Sequence, residues 1–471
     1  MSIEEFISKE KSLLIAPAGF GKTHSLAECL ERTSENEKQL ILTHTHAGIA
    51  SIKEKIRKLN IPSSKYQLET ITGFAQKYTL SFYCNDDIPK QEDANDYYPF
   101  VVEKATELFK IETIQKTLQY SYQGLFVDEY QDCTDIQHQM ITELSSIIPT
   151  HILGDPLQGI FDFNGDLVDF DNDLKEFEKV QPLTTPWRWN NANENQLGEE
   201  LKDIRDRLEK DKTIKLEEYN KIESVICNEN DWFKPGTQYR NKLSNLLNEE
   251  SLLIIHPITS SLAPRLKIVQ SFNNRLSLLE SIDEKDSYSI SQNIDDWGKE
   301  IDILLVKDLS YVLFNKSGLD VWFNEKGFKR KTEIASRKLI EELQVLLDGI
   351  QPQNKYSKLS IIIKKIMQLP GVKCYRKDMV FSLGKALDIA ETENISVHEA
   401  MVRHKNIIRR VGRKIIGKCI GTTLLTKGLE FDTVAILNAH KIENKKHFYV
   451  ATTRACKRLV IFSNTDELTF N

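Results

Sequence analysis

Apolar residues fall in short runs separated by stretches of helical periodicity. Leu13–Ile15, Gln39–Thr43, Gly124–Glu129 and His151–Asp155 read as buried strands, too short and too continuously apolar for amphipathic helices. Glu69–Phe74 repeats the pattern more weakly, and Ala47–Leu59 between the runs reads as a helix carrying Lys53, Lys55, Arg57 and Lys58. Strands and helices alternating on a beat of roughly 30–40 residues predict a parallel, doubly wound α/β domain over residues 1–185. Residues 75–120 are polar and aromatic, mostly helical beyond Pro99, and read as a small insertion in it.

The second half opens with the strand Ser251–His256 and an amphipathic helix over Arg265–Leu279. Long helical periodicity then takes over between residues 291 and 414, at Ile301–Phe314, Lys331–Leu347 and Ser357–Leu369. Strands return at Ile420–Leu425, Thr433–Leu437 and Leu459–Phe462, which predicts a second α/β domain, residues 186–290 and 415–471, split by a helical insertion.

Chemistry enters at the strand ends. Leu13 to Thr23 reads Leu-Leu-Ile-Ala-Pro-Ala-Gly-Phe-Gly-Lys-Thr: strand, glycine-bearing turn, helix start. Glycines at 19 and 21 let backbone N–H groups turn around phosphate oxygens, and the helix N-terminus adds its dipole. Lys22 would reach the β- and γ-phosphates, and the Thr23 hydroxyl would hold Mg²⁺. The strand Gly124–Glu129 delivers two carboxylates, Asp128 for the metal and Glu129 to orient and deprotonate water. Gln158 lies just past the strand His151–Asp155, where ligands bind in such sheets.

Bulk properties narrow the class without naming it. The 471 residues, 40% hydrophobic and 28% charged, describe a folded chain with room for about three domains. A net charge of −6 means that any polyanion is held by a local basic surface. One such candidate is Ala400–Leu429, which lacks acidic residues and carries Arg403, Lys405, Arg409, Arg410, Arg413, Lys414 and Lys418. Seven dispersed cysteines without a Cys-x-x-Cys pair fit reduced thiols. His44 and His46 read as loop polar groups rather than metal ligands. No apolar run approaches the ~20 residues of a membrane span, and the N-terminus lacks signal-peptide character, so a cytoplasmic location is expected.

Taken in order, six segments make the pattern specific: Ala16–Thr23, Val127–Asp132 (Val-Asp-Glu-Tyr-Gln-Asp), Gly154–Phe161 (Gly-Asp-Pro-Leu-Gln-Gly-Ile-Phe), Trp187-Arg-Trp189, Lys427–Phe431 (Lys-Gly-Leu-Glu-Phe) and Tyr449–Ala455 (Tyr-Val-Ala-Thr-Thr-Arg-Ala). The set resembles the superfamily 1A DNA helicases of the UvrD/Rep/PcrA type, over nearly the whole chain. The resemblance implies two RecA-like P-loop NTPase domains, termed 1A and 2A, with residues 291–414 as a 2B-like insertion. It implies ATP as substrate, Mg²⁺ as cofactor and DNA-stimulated hydrolysis coupled to 3′-to-5′ movement on single-stranded DNA. Carried over, Ala16, Ala18, Gly19, Phe20, Gly21, Lys22, Thr23 and His24 form the phosphate loop. Thr23 and Asp128 hold the metal, Glu129 is the base and Gln158 the γ-phosphate sensor. Arg188 and Arg454 reach in from the second domain to stabilise the transferring phosphoryl group, Trp187 stacks on the base and Glu430 contacts the ribose. Thr45, His46, Phe161 and Phe163 match residues that touch the single strand.

Departures from the family pattern set further expectations. No glutamine stands among Met1–Ala16, where the family reads adenine, so other NTPs are expected as substrates besides ATP. Ile71 and Asn164 replace an aromatic and an arginine that would strengthen the grip on DNA. Compact UvrD-like chains of this size also resemble the helicase-like subunit of Gabija-type anti-phage systems. That resemblance implies a nuclease partner and a regulatory, DNA-end-sensing or nucleotide-sensing role.

Overall fold

Six strands line up in parallel, four of them where the apolar runs predict strands. They are β1 (Lys11–Ile15), β2 (Gln39–Thr43), β3 (Tyr66–Thr70), β4 (Gly124–Asp128), β5 (Thr150–Gly154) and β6 (Glu178–Lys179), in the order β3-β2-β4-β5-β1-β6. The weaker repeat expected at Glu69–Phe74 is instead the end of β3 and the start of a helix at Ile71, capped by Thr70 accepting the Gly73 N–H. The short edge strand β6 carries no such run. All residues of β2, β4 and β5 are buried, which is why these strands read as continuous apolar runs rather than alternating ones. The computed structural model describes residues 3–89, 93–161, 167–258, 260–273, 275–279, 285–297, 301–374, 376–411 and 417–470.

Because the strands are parallel, their carboxyl ends share one edge, and the register brings specific residues together there. Thr43 pairs with Asp128 and with Thr70, and Ile15 pairs with Gly154. Helices Ile71–Phe82, Ala94–Leu108 and Glu112–Ser121 supply Phe74, Tyr78, Val101, Phe109 and Leu118 to the same core as Leu13, Leu40 and Val127. Residues 75–120 are thus packed into the core of the first sheet.

The chain divides into two compact units, residues 1–229 with 426–471, and residues 230–425. Besides the six-stranded sheet, the first unit holds three parallel strands, Ile222–Ile226, Ala455–Ser463 and Phe431–Ile436, with Ala455–Ser463 between the other two. In the second unit, strand Lys418–Gly421 pairs in parallel with Leu252–Ile255 on one side and Ser277–Leu278 on the other. The rest of that unit is largely helical, with a core that includes Leu309, Trp322, Leu359, Ile363, Leu383 and Met401. The α/β class with parallel sheets and mostly helical insertions is therefore the observed one.

Two boundaries differ from the sequence expectation. The helix expected over Arg265–Leu279 spans Ala263–Ser271; Asn273 then turns left-handed, at φ 51°, and the chain re-enters the sheet at Ser277–Leu278. The strand expected over Ile420–Leu425 ends at Gly421, and Thr423–Thr426 forms a helical turn. Elsewhere most strand and helix ends shift by one to three residues, as with Ile303–Leu313, Ile334–Asp348 and Lys355–Met367, while the last expected strand begins four residues earlier, at Ala455.

His151 on β5 makes folding pH-sensitive. Its ring lies between Phe6 and Phe126, with centroids 5.3 and 4.9 Å away, and Nδ1 is 2.8 Å from Ser12 Oγ. The Ser12 hydroxyl donates to the Phe6 carbonyl at 2.9 Å, so Nδ1 carries a proton and donates to Oγ. Burial pushes the His151 pKa from 6.5 down to about 4. The unfolded chain therefore takes up the proton first. Stability is complete above pH 6.5 and is lost as the pH falls towards 4, by up to about 3 kcal/mol at a cost of 1.36 kcal/mol per unit. Because His44, Asp128 and Asp132 titrate in the same window, the His151 contribution is read as the difference between wild type and His151→Leu in denaturant unfolding at about pH 7 and about pH 5.

Candidate functional site

The phosphate loop leaves β1 at Ile15 and is anchored at once by Ala16 N–H donating to the Gly154 carbonyl, 2.9 Å. Ala16, Ala18 and Phe20 are buried. Gly19 and Gly21 have φ of 79° and 94°, a region that L side chains rarely adopt. Space forbids a side chain there as well: a Cβ on Gly19 would lie 2.8 Å from Trp189, and one on Gly21 would lie 3.0 Å from Trp187. The Trp187-Arg188-Trp189 turn packs directly on the loop, with Arg188 N–H donating to the Gly19 carbonyl at 2.9 Å. Helix Lys22–Arg32 starts at Gly21 with no side-chain cap, so its first-turn N–H groups face outward for an anion. His24 lies exposed on that first turn, Nε2 3.5 Å from Glu28.

Lys22 Nζ sits 2.8 Å from Glu129 Oε1 and 3.4 Å from Asp128 Oδ1, where β4 ends. It is buried, with Glu129 as its ion-pair partner and Asp128 close by, so a phosphate oxygen entering the site would compete with these carboxylates for it. Burial works against its charge, but the two carboxylates outweigh burial and raise its pKa above that of an ordinary lysine. Burial pushes the Asp128 carboxyl up to about 6 in spite of Lys22. Glu129 feels the same burial, but Lys22 and then Lys427 overcome it and draw it down to about 2. Glu129 holds a left-handed backbone, φ 56° and ψ 39°. Its N–H donates to Asp128 Oδ1 at 2.9 Å, and its Oε2 accepts from Gln131 Nε2. Asp128 with the half-buried Thr23 hydroxyl at the helix start is an oxygen donor set that suits a hard divalent cation, so these residues fit Mg²⁺.

Two arginines stand in the same compact unit as the loop. Arg188 Nη2 pairs with Glu430 Oε1 at 2.6 Å, and Nη1 donates to the Thr453 carbonyl. Arg454 is buried and donates to Val450 O, Leu429 O and Thr453 Oγ1 at 2.9, 3.2 and 3.1 Å. Burial, with Arg188 nearby, brings its pKa down to about 10, which leaves it charged at neutral pH. Trp187, by contrast, is 51% exposed, with a ring face free to stack. Gln158 is buried with Nε2 donating to Asp155 Oδ2 at 3.0 Å.

Of the residues assigned to the single strand, Thr45 caps helix His46–Lys58 by accepting the Gly48 N–H at 3.0 Å, and His46 opens that helix half-buried. Phe161 is half-buried, with the Lys427 ammonium 4.7 Å above its ring. Phe163 and Asn164 lie outside the described residues, as do Arg413 and Lys414. Arg403, from the basic run, pairs with Glu399 at 2.7 Å and with Glu393, so it is a paired helix-surface charge. His44 lies in the loop between strand Gln39–Thr43 and helix His46–Lys58, as expected, but its ring stacks on Phe161 at 16° and burial lowers its pKa to about 4.

Sequence reasoning left several buried polar groups without a role. Lys427 donates to Asp132 and to the Gln158 carbonyl, and Gln131, Asp155, Arg205 and Tyr449 are buried close by. The available signal was polar residues directly following apolar strands, at 130–132 and at 155. Burial of Arg205, in a helix of mixed charge, had none.

Residues 86–179, which carry Asp128, Glu129 and Gln158, match the UvrD/REP helicase N-terminal domain. Comparison with curated proteins gives no match. Among solved structures, the Pif1 helicase from Candida albicans is similar at 12% identity and a TM-score of 0.36, over 98% of this chain and 92% of that one.

Proposed function

We propose, for a chain whose residues 86–179 match the UvrD/REP helicase N-terminal domain, DNA-stimulated NTP hydrolysis that drives 3′-to-5′ movement on single-stranded DNA. What supports this most is the Lys22 ammonium, held between Asp128 and Glu129 in the same unit as Arg188 and Arg454. In this reading Lys22 and the first-turn N–H groups hold the β- and γ-phosphates, while Thr23 and Asp128 hold Mg²⁺. Bound there, the metal would neutralise charge on the phosphate oxygens. Glu129 orients the attacking water and takes its proton, Gln158 reads the γ-phosphate, and Arg188 with Arg454 stabilises the transferring group. Trp187 stacks on the base and Glu430 meets the ribose. Thr45, His46, Phe161 and Phe163 contact the strand. The domain reading follows the same resemblance: 1A over residues 1–185, 2A over 186–290 and 415–471, and a 2B-like insertion between them.

The test is NTP hydrolysis with and without single-stranded DNA, for ATP and for other NTPs, followed by strand displacement on 3′-tailed and 5′-tailed duplexes. Hydrolysis should rise severalfold with DNA, and displacement should need the 3′ tail. Hydrolysis that is absent or indifferent to DNA would sink the motor reading and favour the regulatory one, a nucleotide-sensing subunit controlling a partner nuclease in anti-phage defence.

A further inference from the structure

One fully buried carboxylate, Asp155, gathers five donors from four parts of the first unit. Ala18 N–H of the phosphate loop lies 3.2 Å from Oδ2, Gln158 Nε2 3.0 Å and Tyr449 Oη 2.9 Å. Leu157 N–H and Arg205 Nη2 lie 3.3 and 3.1 Å from Oδ1. The Ala18 N–H also reaches Tyr449 Oη at 3.0 Å. On the backbone side, Asp155 N–H donates to Gln131 Oε1 at 2.9 Å, and Gln131 Nε2 donates to Glu129. Asp155 is 0% exposed, Tyr449 1%, and Arg205 and Gln158 6% each, so no bulk water competes for these bonds.

A carboxylate offers about four lone-pair sites, and these donors fill them. Two of the donors belong to the proposed nucleotide site, the loop and the Gln158 amide. The other two side chains, Tyr449 on helix Lys445–Thr452 and Arg205 on helix Asn195–Glu209, belong to regular structure. Arg205 supplies the compensating charge and is itself steadied by Glu209 at 2.6 Å. Tyr449 fixes the second oxygen, and burial with the neighbouring Asp155 raises its pKa well above that of an ordinary phenol, so it stays a donor.

We propose that Tyr449 and Arg205 are positioning residues for hydrolysis, which through Asp155 set the Gln158 amide and the Ala18 N–H of the phosphate loop. This rests on the NTPase reading above. Their contribution is preorganisation: with Asp155 pinned from the helix side, Gln158 and the loop meet the phosphate already oriented, and turnover gains more than affinity does.

Tyr449→Phe keeps the ring and removes only the hydroxyl. In the full-length chain with single-stranded DNA present, it should lower kcat about tenfold, the order of one hydrogen bond in a transition state. KM and fluorescent-nucleotide Kd should stay within about twofold, and the melting temperature should fall by no more than a few degrees, leaving the chain folded under assay conditions. Arg205→Lys, which keeps the charge, should retain most turnover, and Arg205→Met should not. In a Gln158→Ala background, Tyr449→Phe should cost less than in the wild type, because part of its path is already cut. The proposal is overturned by an unchanged kcat in Tyr449→Phe, by a loss confined to KM or melting temperature, or by an equal cost in both backgrounds. Absence of hydrolysis in the wild type would instead overturn the NTPase reading on which it stands. If Arg205→Met does not fold, the tyrosine variant and the double-mutant cycle decide alone.

Discussion

Glu129→Gln should bind nucleotide and barely turn it over, with hydrolysis falling by about three orders of magnitude, within the range a positioned general base contributes. The substitution keeps length, shape and one acceptor, so the loss isolates proton transfer. Two features set the expectation. Glu129 directly follows the strand that ends at Asp128, the proposed metal ligand, and its carboxylate faces Lys22, the proposed phosphate ligand, at 2.8 Å. Lys22 draws the carboxyl down to about 2 despite burial, so the residue is fully ionised at neutral pH and ready to accept a proton once the lysine turns to phosphate. Single-turnover hydrolysis and equilibrium binding of a fluorescent nucleotide check the two halves. Undiminished hydrolysis would remove Glu129 from the mechanism.

Lys22→Ala should behave differently, failing at binding. Hydrogen bonds from a charged group contribute about 1.5–3 kcal/mol, so nucleotide should bind roughly ten- to a hundredfold more weakly and hydrolysis should drop to background. The variant also strips Asp128 and Glu129 of the cation they share at 3.4 and 2.8 Å. Asp128, already pushed up to about 6 by burial, should then take up a proton at still higher pH. Its stability should therefore improve on mild acidification, opposite in sign to the His151 effect, and a melting series across pH with no nucleotide reads it. Persistence of wild-type hydrolysis in Lys22→Ala would overturn the assignment of the whole site.

The parts legible in the sequence are those fixed by short spacing. Ala16–Thr23 and Val127–Asp132 declare themselves because strand, turn and ligand lie within a few residues, and a parallel sheet must bring strand ends to one edge. Residues far apart in the chain are harder. Tyr449 reaches Asp155 across 294 positions and Arg205 across 50, and no periodicity in either helix marks a polar residue as inward-facing. Lys427 sits in a segment that resembles the family, but its partners Asp132 and the Gln158 carbonyl appear only once the chain is folded. The misplaced helix end near Asn273 has a local cause: apolar residues on both sides keep the helical period, and a single left-handed asparagine, φ 51°, interrupts it. His44 sits in the loop its sequence suggests, but its stacking was not legible there because its partner ring, Phe161, lies more than a hundred residues away.

The left-handed backbone at Glu129 sets stability and activity against each other at a single position. A residue with a β-carbon held there costs of order 1 kcal/mol or more, a strain that glycine would not carry and asparagine would carry more easily. Selection for heat resistance alone would drift towards those residues and would discard the carboxylate in the process. A thermostabilised descendant of this chain should therefore be sequenced at position 129 before its loss of activity is blamed on rigidity.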